Sequence, residues 1–240
     1  MKIALAQTSS IKGDIAGNIL AHIGCIERAV SHGAEAVFFP ELSVTGYEPT
    51  LASDLATTIN DPRLSVFQQI SDDKKIMIAV GLPVRVAAGI VIGMVIFQPL
   101  HPRALYTKKY IHADEEPYFI HGENGPGLIL KEHQIALAIC YEISIPEHSA
   151  QAHKDGAVIY IASVVKTPDG ADKSIRQLSA IAKKYTMMVL MCNAVGIADG
   201  GTCGGKSSAW NKKGMLLSQL DAESEGILMV DTESEQVEMF

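Results

Sequence analysis

Residues 134–140 read Gln134-Ile135-Ala136-Leu137-Ala138-Ile139-Cys140, and they echo the opening of the chain, Lys2-Ile3-Ala4-Leu5-Ala6-Gln7. Each run leads through a helical pattern to a second apolar run. After the first comes Gly33-Ala34-Glu35-Ala36-Val37-Phe38-Phe39-Pro40-Glu41; after the second comes Asp155-Gly156-Ala157-Val158-Ile159-Tyr160-Ile161-Ala162-Ser163. Short continuous apolar runs bounded by turn residues suit strands buried on both faces. Buried strands share a vocabulary of Ile, Ala, Val and Leu, so the echo has two readings: common strand composition, or two similar β-helix-β halves. On the second reading, two sheets pack face to face between helices, and the strand ends of both halves converge on a site.

The rest of the chain continues the alternation expected of an α/β architecture. Residues 18–31 place Ile19, Ile23, Ile26 and Val30 on one helical face, with Asn18 as N-cap and Gly33 just past the end. Helices are also expected near 61–70, 146–154 and 172–185. Strands are expected at 76–80, 90–97, 104–107, 158–161 and 188–192, with antiparallel pairing around 90–107. Residues 207–210, 215–220 and 227–230, around Asn211-Lys212-Lys213-Gly214, predict a closing β-meander.

Composition narrows the class. The chain has 240 residues, 48% hydrophobic and 20% charged, with a net charge of -7. That suits one domain over residues 1–240 and excludes disorder. Lys and Arg come at most two together, as in Lys74-Lys75, which argues against a nucleic-acid partner. The longest apolar stretch, residues 90–97, is too short for a bilayer of about 30 Å, and the first residues lack a secretory pattern. A cytoplasmic protein is the expectation. The 4 cysteines form no CxxC pair and are expected as reduced thiols. Eight histidines without HxH or HExxH spacing predict no metal site.

Three polar residues stand at or beside apolar strand ends, where open α/β sheets put their sites. Cys140 follows residues 135–139 and precedes Tyr141-Glu142 and Pro146. A thiol at such a turn meets backbone N–H groups and becomes a nucleophile; without a partner base it is an inert core residue. Glu41 lies just beyond Val37-Phe38-Phe39, where a low-dielectric edge raises a carboxylate toward neutrality and makes it a base. Its alternative is a loop carboxylate in water. Lys108, in Tyr106-Thr107-Lys108-Lys109-Tyr110, suits stabilisation of a developing oxyanion if buried; otherwise it is a solvated charge.

Together these segments resemble the carbon-nitrogen hydrolase, or nitrilase, superfamily. Phe39-Pro40-Glu41-Leu42-Ser43-Val44-Thr45-Gly46-Tyr47 is similar to its glutamate motif, Tyr106-Thr107-Lys108 with Ile111 to its lysine motif, and Cys140-Tyr141-Glu142 with Pro146-Glu147 to its cysteine motif. Asn193-Ala194-Val195-Gly196 and Gly205-Lys206-Ser207-Ser208 resemble recurring downstream segments. The resemblance implies a four-layer α-β-β-α sandwich, usually dimeric, with no metal or organic cofactor. It implies Glu41 as general base, Cys140 as nucleophile, and Lys108 as oxyanion stabiliser aided by the Tyr141 backbone N–H. A second glutamate falls on Glu115 rather than Glu116, counting back from Gly122. Lys184-Tyr185 departs from the family's Glu-Asn. The implied activity is amide hydrolysis through a thioester, releasing ammonia from a small linear amide; a nitrile or N-carbamoyl substrate would use the same residues. Tyr47, Tyr118, Phe119 and Glu142 are pocket candidates. Lys166 is a candidate partner for a substrate carboxylate, or else a solvated loop lysine.

Gly200-Gly201-Thr202-Cys203-Gly204-Gly205-Lys206-Ser207 satisfies the phosphate-loop pattern GxxxxGK[ST] by letter. The motif needs a strand before it and a helix after it, whereas Ser208-Ala209-Trp210-Asn211 leads to a turn. A nucleotide-binding protein and a catalytically silent binding protein are the alternatives from another class. Cys192 is expected to be packed, Cys203 exposed and oxidisable, and residues 231–238 a solvated acidic terminus.

Overall fold

The computed structural model describes residues 1–123, 128–130 and 133–240. The first half runs β1 (Lys2–Gln7), α1 (Ile15–Ser31), β2 (Ala36–Phe38), α2 (Ala52–Leu55), α3 (Ser65–Lys74), β3 (Met77–Val86), β4 (Gly89–Phe97) and β5 (Ala104–Thr107). The second begins with β6 (Leu128–Leu130), β7 (His133–Ile139), α4 (Pro146–Lys154), β8 (Ile159–Val164), α5 (Pro168–Tyr185) and β9 (Met188–Asn193). It ends with β10 (Ile197–Ala198), β11 (Gly201–Thr202), β12 (Ser208–Trp210), β13 (Leu216–Gln219), β14 (Gly226–Asp231) and β15 (Val237–Met239).

One sheet is ordered β15-β14-β1-β2-β3-β4-β5 and the other β13-β12-β9-β8-β7-β6. The two echoing runs hold equivalent places. β1 pairs in parallel with β2, Ile3 opposite Ala36, and β7 pairs in parallel with β8, Ile135 opposite Ile159. Strand alternation divides β1 between two cores. Ala4 and Ala6 face outward with Val37 and Phe39 onto Ile19 and Ile26 of α1 and Phe67 of α3. Ile3, Leu5, Ala36 and Phe38 face the second sheet. The Cys192 sulfur on β9 lies 3.3 Å from both Ala6 O and Phe38 O, either of which can accept its one S–H, marking the close approach of the sheets. Leu178 and Ala182 of α5 and Ala152 of α4 cover the far side, completing the α-β-β-α order. Among the described residues, no helix is long and apolar enough to cross a membrane.

Several local expectations are corrected. The N-cap of α1 is Asp14, whose side chain accepts from Gly17 N–H. Asn18 lies one turn inside, buried, because its amide answers the Ile11 backbone in both directions and donates to Val44 O. The last strands do not form one meander. β12 and β13 extend the second sheet, whereas β14 crosses to pair with β1, where Ile227, Leu228, Met229 and Val230 divide between both cores. The acidic end includes edge strand β15 on β14. The Met1 ammonium lies 3.4 Å from Glu233 and 3.7 Å from Asp231, which gives that turn a counter-charge.

Cys203 is buried rather than exposed, its N–H donating to Gly196 O, and burial pushes its thiol up to about 11. The GxxxxGKS stretch forms no phosphate loop. Gly201–Thr202 is paired as β11, Ser207 leads to β12 rather than a helix, and its N–H donates to Gln7 Oε1. The Lys206 ammonium is paired with Asp172 at 2.6 Å.

Candidate active site

Glu41 is delivered by the end of β2. Pro40 leads out of the strand, Leu42 takes φ +51°, and the Glu41 side chain is sealed beneath. The turn presses on β3 at Gly81: a Cβ there would lie 2.4 Å from Leu42 N and 2.7 Å from Pro40 O. Only glycine admits that approach, and Val44 N–H closes the turn on Gly81 O at 3.0 Å.

Lys108 follows β5, with its N–H donating to Ile92 O, and its side chain is 0% exposed. The ammonium donates to Glu41 Oε1 at 2.8 Å and to both oxygens of Glu115 at 2.7 and 2.8 Å. Glu115 is buried, whereas Glu116 is exposed. The Glu115 carboxylate also accepts from His112 N–H at 2.7 Å and from the Tyr47 phenol at 2.8 Å. Gly122 folds back so that its N–H reaches Lys108 O at 2.8 Å.

Cys140 ends β7 and opens a 3-10 turn, Cys140–Ser144, ahead of α4. Its φ of +45° is a left-handed conformation that costs a non-glycine residue about 1–3 kcal/mol, and such strain collects at functional sites. The thiol lies 3.6 Å from Val165 O, beyond the end of β8. The ends of β7 and β8 therefore meet, and the charge of Glu41, from the end of β2 in the other half, acts on the same thiol.

Burial raises Glu41, and Glu115 adds to the rise; Lys108, by charge and hydrogen bond, and Lys166 oppose it. Among the described residues Glu41 Oε2 has no hydrogen-bond partner, so it is free to take a proton. The Cys140 thiol is also raised, by burial and the Glu41 charge, against the pull of Lys166 and Lys108. For Lys108, burial is the largest influence and lowers it, yet Glu41, Cys140 and Glu115 together hold it above the ordinary lysine value. A carboxylate, a thiol and a fixed cation so arranged can exchange a proton between the first two and receive negative charge at the third.

A narrow cleft above Glu41 is walled by Tyr47, Val165, Ala194, Val195, Ile197 and Ala198. Tyr47 thus reaches the site. Phe119 is buried in the inter-sheet core and Tyr118 is exposed, so neither lines this cleft. Glu142 is 0% exposed and bonded inward to Ile139, Lys109 and Tyr106. The Tyr141 ring stands edge-on to His112, 5.1 Å between centroids. Lys166 is half-buried after β8; its N–H donates to Asn193 Oδ1, and its charge acts on both Glu41 and Cys140. Ala194, Val195 and Ile197 were not singled out as pocket residues; the only pointer was the recurring segment 193–196. Buried Asn193 supports them, its amide donating to Gly205 O at 2.6 Å. Lys184-Tyr185 lies away from the cleft, where the Tyr185 ring sits tilted against His153 of α4, 5.3 Å between centroids. Among the described residues, no group of three or more His, Cys, Asp or Glu is arranged to hold a metal ion.

The family model for carbon-nitrogen hydrolase matches residues 2–239. An amidase from Nesterenkonia sp. AN1 superposes with a TM-score of 0.88 at 25% identity, covering 96% of this chain and 92% of that one. A variant of that amidase, with the acetamide moiety of fluoroacetamide added covalently at its active-site cysteine, superposes with a TM-score of 0.87 at 25% identity, covering 96% and 89%. An (R)-stereoselective amidase from Pseudomonas sp is 22% identical over 84% of this chain and 73% of its own length. A glutamine-dependent NAD(+) synthetase from Thermotoga maritima is 25% identical over 98% of this chain, which spans 42% of that relative.

Proposed function

This chain belongs to the carbon-nitrogen hydrolase family, and from that premise we propose that it is a thiol amidohydrolase that cleaves a small linear amide through an acyl-enzyme on Cys140. The observation that carries this reading is the sealed Glu41–Lys108–Glu115 cluster beside a strained, buried cysteine.

Glu41 takes the Cys140 proton on its unpartnered oxygen as the sulfur attacks the amide carbonyl. The C=O π electrons move to oxygen, and the oxyanion is received by the Lys108 ammonium and the Tyr141 backbone N–H. Glu115 holds Lys108 charged and oriented. The C–N bond then breaks, Glu41 returns its proton to the leaving nitrogen, and ammonia departs from a thioester. Water enters, gives a proton to Glu41 and attacks the thioester carbon; the C–S bond breaks, the sulfur regains the proton, and a carboxylic acid leaves. Every proton taken by Glu41 is given back, which suits a base with a raised pKa.

The similarity to amidases supports an amide over a nitrile. Glutamine belongs among the candidate amides because of the glutamine-dependent relatives. The reading includes a single domain over residues 1–240 acting in the cytoplasm as a homodimer, the last tested by sedimentation.

Ammonia release from an amide panel is expected from the intact protein and not from Cys140→Ala. Mass spectrometry of the quenched enzyme is expected to find an acyl adduct on Cys140, whose added mass identifies the substrate. Undiminished ammonia release by Cys140→Ala would overturn the reading.

A further inference from the structure

One carboxylate ties together the segments that carry the thiol and the ammonium. Glu142, two residues beyond Cys140, is 0% exposed and uses both oxygens. Oε2 accepts from Ile139 N–H at 2.8 Å and from the Tyr106 phenol at 2.7 Å. Oε1 accepts from Lys109 N–H at 2.8 Å. A carboxylate reaching back to the N–H that precedes its own helical turn is ordinary capping, and the Ile139 bond is of that kind. The Lys109 bond is different, because it crosses from the end of β7 in one sheet to the segment after β5 in the other. The residue before the thiol and the residue after the buried lysine thus hang on one planar group. Bonds to an ionised acceptor are short and about twice as strong as neutral ones.

A polar chain backs this tie. Tyr106 Oη lies 2.9 Å from His148 Nε2, and His148 Nδ1 lies 2.8 Å from Tyr160 Oη. Burial, with the Lys109 charge, lowers His148 to about 4, so it is neutral at pH 7. One tautomer satisfies the whole chain: Tyr160 O–H donates to Nδ1, Nε2–H donates to Tyr106, and Tyr106 O–H donates to Glu142. Strained backbone such as that of Cys140 persists only where its surroundings over-determine it, and these bonds supply that constraint.

We propose that Glu142 is a positioning residue for the hydrolytic reaction: it holds the Cys140 turn and the Lys108 segment at one separation, and so sets the distance between attacking sulfur and oxyanion-stabilising ammonium. The proposal rests on the roles given above to Cys140 and Lys108. It also predicts a pH signature. Burial pushes Glu142 up to about 7, against the Ile139 N–H, the Tyr106 phenol, the Lys109 N–H and the Lys108 charge, which hold it down. The titratable and charged groups packed about it are Tyr106, Lys108, Lys109 and Tyr110 from the β5 side, His148 from α4 and Tyr160 from β8. Tyr106 and His148 also line a surface groove beside α4, which gives the proton a way out. Protonation turns an acceptor into a donor and releases part of the tie.

The test compares Glu142→Gln and Tyr106→Phe with the intact protein on the best amide of the panel. Glu142→Gln keeps the shape but sets an amide NH2 against a donor. Its kcat is expected to fall about 100-fold, the scale of a 1 Å misplacement, with KM changed by less than about threefold and an unchanged circular dichroism spectrum. Tyr106→Phe keeps the ring packing and removes one bond that holds Glu142 down, so its kcat is expected to fall several-fold and its acid limb to move to higher pH. It decides the matter if Glu142→Gln does not fold. A folded Glu142→Gln with kcat within about twofold of the intact protein, or a Tyr106→Phe with unchanged kcat, would overturn the proposal. Cys140→Ala is assayed alongside: retained turnover there would remove the nucleophile reading and this proposal with it, whereas a dead Cys140→Ala beside a fully active Glu142→Gln would remove this proposal alone.

Discussion

Lys108 Nζ stands 2.8 Å from Glu41 Oε1, with both side chains 0% exposed, so cation and carboxylate form one buried pair. Removing one partner of a buried pair leaves the other charge uncompensated, at a cost of about 3–5 kcal/mol. Lys108→Met would leave Glu41 and Glu115 facing each other, and Glu41 would rise further. A kcat at least about 100-fold lower is expected, as for loss of an oxyanion donor, together with a lower melting temperature. Steady-state assay of ammonia release and calorimetry check the two effects separately.

Activity should fail on the acid side at an unusually high pH. Glu41 is raised by burial first, and in the proposed mechanism it accepts the thiol proton only when ionised. As pH falls through that raised value, the base is lost, so the acid limb of kcat/KM is expected above about 4.3, the ordinary glutamate value. The sign for stability is opposite. A carboxyl whose folded pKa is raised favours the fold below its unfolded pKa and loses that contribution as pH rises through the folded one. The enzyme is therefore expected to gain activity over a pH range in which Glu41 contributes less to stability. An acid limb at or below about 4.3 would rule this out.

Glu41, Lys108 and Cys140 were legible as candidates because they stand at or beside the ends of apolar strands; each alone had an ordinary reading, and the resemblance to three family motifs joined them. The parallel halves were legible because β1, β2, β7 and β8 are local runs. What could not be read was set by contacts between distant segments. Nothing near Ile227 says that β14 leaves β12 and β13 to pair with β1. Asp14 and Asn18 are both N-cap types; tertiary bonds to Ile11 and Val44 draw Asn18 into the helix. Cys203, in a glycine-rich loop, is buried by packing that no spacing encodes. Glu142 was singled out by its neighbour Cys140, but its partner Lys109 lies 33 residues away.

Gly81 is expected to be as sensitive as a site residue although it carries no side chain. A methyl group there would meet Leu42 N at 2.4 Å and Pro40 O at 2.7 Å, both backbone atoms that cannot swing aside. Overpacking of this kind costs about 1–3 kcal/mol and would push the Glu41 turn off β3. Gly81→Ala is expected to lower the denaturant midpoint and to lower kcat out of proportion to its stability loss. Gly24→Ala, where nothing lies within 4 Å, is the control expected to do neither.

Lys166 is the proposed partner of a substrate carboxylate. Its charge acts on both Glu41 and Cys140, it follows Val165 of the cleft wall, and among the described residues its ammonium has no hydrogen bond or ion pair of its own. A half-buried cation without a partner favours a substrate that brings the anion, and an acidic amide would do so with its distal carboxylate. Lys166→Ala is expected to raise KM for such amides about tenfold, near the 1.4 kcal/mol scale of one exposed charge-assisted contact, while neutral amides of equal length keep theirs. The same loss should leave the Cys140 thiol less acidic, because Lys166 is one of two cations that pull it down. The alkylation rate of Cys140 by iodoacetamide at fixed pH is therefore expected to fall in Lys166→Ala. Equal KM changes for acidic and neutral amides would assign Lys166 to tuning the thiol alone.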